Sequence, residues 1–97
     1  MSLPASWPFR DPPDLAVITV AQVLREGTSI LYVTHDEDDG GWQFLTGESL
    51  DPTNAIFVSL REIVEHDASV GMLADLPLGW CAKRADRMSE WERFLRP

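Results

Sequence analysis

Ala55-Ile-Phe-Val-Ser59-Leu-Arg-Glu62-Ile-Val-Glu-His66 joins two kinds of periodicity in one stretch. Ala55 to Val58 is an unbroken apolar run of strand length. Ser59 and Glu62 then stand at the spacing of a capping box, in which each residue satisfies an open amide of the other. Leu60, Ile63 and Val64 follow on one helical face. A strand that feeds directly into a capped amphipathic helix predicts a sheet with that helix packed on one face.

The flanking segments supply the rest of the sheet. Ser29 to Thr34 is rich in Ile, Tyr and Val and reads as a strand. Trp42 to Thr46 is another, with Trp42 and Phe44 on one side. Between them His35-Asp-Glu-Asp-Asp-Gly-Gly41 has the glycines and aspartates of a hairpin loop. Leu15 to Ile18 reads as a short strand. Thr19 and Gln22 have capping spacing, and Gly27 suits the end of one or two helical turns. Asp67 can cap a second short turn that ends before Pro77. Gly79 to Arg84 alternates as a strand. The Trp91–Leu95 tail suits either a helix behind Ser89 or an edge strand. Hairpin-length connections favour antiparallel pairing. The expected fold is therefore α+β: a mainly antiparallel sheet of four to five strands, with one main helix and one or two short helical turns on one face. Trp42, Phe44, Ile56, Leu60, Ile63 and Trp80 are the expected core.

Four prolines fall within residues 1–14, at Pro4, Pro8, Pro12 and Pro13. Each fixes its own φ and disfavours helix before it, so 1–14 reads as a proline-rich arm and 15–97 as a single domain. Trp7 and Phe9 give the arm two apolar anchors. A chain of 97 residues with 44% apolar and 25% charged side chains can bury one compact core.

Composition also limits function. Sixteen acids against eight bases give a formal charge of −8, the opposite of a nucleic-acid or anionic-membrane footprint. No stretch has the length of a membrane span, and Met1 to Phe9 does not read as a signal peptide. Cys81 is the one cysteine, which excludes an intramolecular disulfide and fits the cytoplasm. No cofactor or metal is expected. The Asp36–Asp39 loop fails the calcium-loop pattern, because neither register places Glu at the twelfth position. His35, His66 and Cys81 have no metal-ligand or nucleophile spacing. Cys81 reads as a buried thiol. No glycine-rich phosphate loop is present. The candidate surface is the acidic run Asp36, Glu37, Asp38 and Asp39, with Trp7 and Phe9 of the arm as second contacts.

Several segments carry a resemblance. Trp7-Pro-Phe9 with Asp11-Pro-Pro13, Leu31-Tyr-Val-Thr-His-Asp36, Asp38-Asp39-Gly40-Gly41-Trp42-Gln43-Phe44, Val58-Ser59-Leu60 and Leu76-Pro-Leu-Gly79-Trp80 together resemble a group of small uncharacterised bacterial proteins. That group is distantly similar to a domain of unknown function classed with polymorphic-toxin immunity proteins. The resemblance implies an α+β fold, a bacterial origin and neutralisation of a toxin, and it brings no catalytic residues. The expectation is a non-enzymatic module that binds a basic protein. A structural or regulatory domain, a small-molecule-binding protein or a minor enzyme are the alternatives.

Overall fold

The computed structural model describes residues 7–47 and 50–96. Its elements run β1 (Ala16–Val20), α1 (Ala21–Glu26), β2 (Tyr32–His35), β3 (Trp42–Leu45), β4 (Ala55–Ser59), α2 (Leu60–His66), a 3-10 helix (Ala68–Leu73), β5 (Trp80–Lys83) and β6 (Glu92–Leu95). The class is α+β. The six strands form one mixed sheet in the order β4-β1-β3-β2-β5-β6.

Two features of the sheet depart from the sequence expectation. The strand count rises to six because the tail forms edge strand β6 against β5, so a helix behind Ser89 is excluded. The sheet is mixed because β1 and β3 pair in parallel while the other four ladders are antiparallel. Residues 21–31 between β1 and β2 are too long for a hairpin. They step past one position, and the β2–β3 hairpin then folds β3 back into the gap beside β1.

Thr19 explains why α1 starts without a capping box. Its hydroxyl donates to the Phe44 carbonyl at 2.7 Å, which ties β1 to β3 inside the core. The helix begins two residues later, with Val20 at the cap position and no side-chain cap. Gly27, at φ +69°, ends the helix as expected, since the left-handed region favours glycine. The capping box of α2 does form, with Ser59 accepting from the Glu62 amide and Glu62 accepting from the Ser59 amide. Asp67 caps the 3-10 helix by accepting from the Ser69 amide.

Strand register sorts the side chains. Ile56, Thr19, Phe44, Val33, Ala82 and Arg93 form one row across all six strands. Its centre is fully buried and joins Leu60, Ile63, Val70, Leu73 and Leu76 in the core. Phe57, Ile18, Gln43, Thr34, Cys81 and Phe94 form the row on the opposite face. There the Tyr32 and Phe94 rings meet edge to face, 6.0 Å between centroids, and Lys83 lies over Phe94. Of the expected core, Trp42, Phe44, Leu60 and Ile63 are buried, but Ile56 and Trp80 are only partly so. Both lie on strands at or near the sheet margins, where less packs over them.

The arm is part of this core. Phe9 is only 3% exposed and sits edge-on to Trp42, 5.3 Å between centroids. Of the arm, residues 1–6 lie outside the described residues. Among the described residues no helix is long and apolar enough to cross a membrane.

Candidate functional site

The acidic turn is held from within and from below. The Asp36 amide donates to the Gly41 carbonyl at 2.7 Å, and the Gly40 amide returns to the Asp36 carbonyl at 3.0 Å. Two carboxylates close the turn further. Asp36 Oδ1 accepts from the Asp38 amide at 3.0 Å, and Asp39 Oδ1 accepts from the Gly41 amide at 2.8 Å. Aspartate suits such positions because its short side chain reaches its own backbone two residues on. Gly40 adopts φ +72°, which other L residues enter only with strain. The result leaves Glu37, Asp38 and Asp39 exposed and Asp36 half-buried.

His35 anchors the base. Its Nδ1 lies 2.7 Å from the Leu76 carbonyl, which can only accept, so this nitrogen carries a proton. The His35 carbonyl accepts from the Gly79 amide at 2.8 Å. Its ring stacks on Trp42 at 3.9 Å with an interplanar angle of 11°. Trp42 Nε1 donates to Asp11 Oδ2 at 2.8 Å, and Trp7 Nε1 donates to the Asp11 carbonyl at 2.7 Å. A continuous chain of contacts thus runs from the arm through Asp11 and Trp42 to His35 at the root of the turn.

This arrangement changes the reading of two candidate residues. Phe9 is interior and offers no surface to a partner, because its ring fills the space beside Trp42. Trp7 is half-buried, with its indole N–H committed to Asp11 and its ring 6.0 Å from Phe9. Both residues support the turn from beneath. Asp11 and His35 are the members that sequence reasoning missed. Their roles depend on the arm folding back over β3, and no local spacing signals that.

Two concavities flank the turn. One of about 450 Å³ is lined by Asp36, Glu37, Asp38, Gly79, Leu95 and Arg96. A smaller one of about 110 Å³ lies on the opposite side, with Asp36 and Asp39 beside Ile18, Gln43 and Phe57. Leu95 is 64% exposed at the rim of the larger one. The turn therefore presents carboxylates next to uncovered apolar surface on both sides.

Among the described residues no group of three or more His, Cys, Asp or Glu side chains is placed to hold a metal ion. Cys81 is fully buried in β5. Among the described residues no hydrogen bond joins it to either histidine.

A second polar cluster lies away from the turn, at the other end of β5. Arg84 donates to Asp67 Oδ2 at 2.6 Å, to Ser69 Oγ at 2.9 Å and to the Ile30 carbonyl at 3.0 Å. The guanidinium packs over the Trp91 ring at 4.1 Å. Every hydrogen-bond partner of Arg84 is internal, so this cluster joins the 3-10 helix, β5 and the tail.

No protein-family model, curated protein or solved structure matches this chain.

Proposed function

We propose that the chain is a non-enzymatic protein-binding module whose acidic turn receives a basic segment of another protein. The observation that carries this reading is the display of Glu37 and Asp38 at the mouth of an open concavity of about 450 Å³ with Leu95 at its rim, and of exposed Asp39 beside the smaller concavity on the other side of the same hydrogen-bonded turn. None of these three charges has an ion pair among the described residues, and like charges on one turn repel. A basic partner would gain both steering over distance and a polar rim around an apolar contact. The resemblance to the immunity-protein class supports a narrower version, in which the basic partner is a toxin that the chain neutralises.

Titration of isotope-labelled protein with a short Lys- and Arg-rich peptide tests the location. The expected amide shifts centre on residues 36–39, Gly79, Leu95 and Arg96. Shifts spread evenly over all exposed acids, including Glu65 and Glu90, would reduce the turn to one charge among many and overturn the reading.

A further inference from the structure

Phe57 is 75% exposed at the centre of β4, and β4 is an outer strand of the sheet. The two outer strands are built differently. The other one, β6, carries Glu92 and Arg93, and Arg93 is tied to Asp75 Oδ1 and to the Met72 carbonyl, both at 2.7 Å. Charges of this kind protect an edge from pairing. The sequence of β4 is Ala55-Ile-Phe-Val-Ser59, with neither charge nor proline.

Register shows which backbone groups this edge leaves open. The Ala21 amide donates to the Asn54 carbonyl and the Leu60 amide to the Leu15 carbonyl, in line with the Ile56–Thr19 and Val58–Val17 pairs. Residues 54, 56, 58 and 60 therefore bond toward β1, and alternation turns the backbone of Ala55, Phe57 and Ser59 outward. The Ala55 amide is taken by the Pro52 carbonyl at 3.4 Å, and the Ser59 amide by Glu62 Oε1 at 3.2 Å. Phe57 alone of these three keeps both its N–H and its C=O directed outward. A foreign strand laid along the edge would need a ladder of such groups. A two-fold axis needs one complete pair, at its centre.

We propose that β4 is a self-association strand, through which two copies pair antiparallel about a two-fold axis at Phe57. Each Phe57 N–H donates to the Phe57 C=O of the other copy, and the two rings meet as a cross-strand aromatic pair. The contact is self-complementary, as a two-fold interface must be. Charge agrees with this pairing. The axis sets the Asp51 end of one β4 against the Arg61 end of the other. Asp51 stays ionised, because hydrogen bonds led by the Thr53 hydroxyl hold its carboxyl below the usual range. Arg61 is exposed and has no ion pair among the described residues. The strand is short, so the dimer is weak and reversible, with Kd between about 10 μM and 1 mM.

Sedimentation equilibrium from low micromolar to about 1 mM protein tests the proposal over that affinity range. The parent mass should rise from 10.9 kDa toward twice that value. Phe57→Lys should stay monomeric at every concentration with its melting temperature unchanged, since the side chain is exposed. Arg61→Glu should raise Kd several-fold. Oxidised Phe57→Cys should form a linked dimer, because the Cα atoms of a hydrogen-bonded antiparallel pair lie about 5.5 Å apart, within disulfide reach. A cysteine at exposed Glu65 should not. A parent that remains monomeric near 1 mM, or a Phe57→Lys variant that still dimerises, would overturn the proposal. Neither result bears on the larger concavity beside the acidic turn, whose lining residues these variants leave unchanged.

Discussion

Asp67 and Arg84 are the most deeply buried charges among the described residues, with side chains 5% and 1% exposed. Burial alone would raise the Asp67 carboxyl. Hydrogen bonds from Ser69 and Arg84, together with the positive guanidinium, outweigh it and hold the pKa below the ordinary aspartate value. A depressed folded-state pKa adds stability above the unfolded pKa of about 4 and loses it as pH falls through the folded value. Stability should therefore decline as the medium is acidified below about pH 4. Asp75 and Asp86, also lowered by their hydrogen-bond donors, act in the same window. Asp67→Ala would leave Arg84 buried without its counter-charge, at a cost of about 3–5 kcal/mol. Chemical denaturation across pH 2–7, a range spanning the ordinary aspartate value, should show a lower midpoint and a flatter acid limb for the variant. An unchanged midpoint would mean that the pair is not integral to the fold. Phe44 makes a simpler case. It is fully buried at the centre of the packed row, and Phe44→Ala should cost about 3–5 kcal/mol. A melting temperature within a few degrees of the parent would remove Phe44 from the core.

At the scale of the element, the proposed function needs the acidic turn to be a rigid platform, closed by its own hydrogen bonds. Gly40 is where this rigidity is most exposed to test. Nothing crowds a side chain there, but φ +72° strains any L residue. Gly40→Ala should cost about 1–2 kcal/mol through the backbone alone. It should also broaden the amide resonances of residues 36–41, since a strained turn samples alternatives. A variant as stable as the parent, with sharp resonances, would show that the turn does not need the left-handed residue. The same scale separates what sequence could reveal from what it could not. The β2–β3 hairpin and the Ser59–Glu62 cap were legible because their causes are local: a glycine pair, an Asx turn, a box of fixed spacing. Thr19 was misread because its hydroxyl had two outlets. A local cap competed with the Phe44 carbonyl, and only the parallel pairing of β1 with β3 decides between them.

Across the whole molecule, non-local pairing accounts for the remaining gaps. The sixth strand exists because β5 offers the tail a partner. Phe9 becomes core because the arm crosses Trp42, although prolines alone describe only an extended segment. The candidate surface was legible in part. The run Asp36–Asp39 announced itself by charge, whereas its support by Asp11, Trp42 and His35 depends on contacts between distant segments. These contacts make the central claim specific: the turn is a preformed acidic edge kept for a basic partner. Glu37→Gln, Asp38→Asn and Asp39→Asn remove three exposed charges, and the amide oxygen at 39 can still accept from Gly41. Asp36 stays, since its carboxylate closes the turn. The melting temperature of the triple variant should be unchanged or slightly raised. The decisive measurement is its association rate, against the parent's, with the partner captured on the immobilised parent, from low to high salt. The parent should associate faster at low salt and slow steeply as salt screens the turn, while the variant should be slower throughout with a flatter slope. Equal rates for the two proteins at low salt would contradict the claim and leave the turn a solvated hairpin.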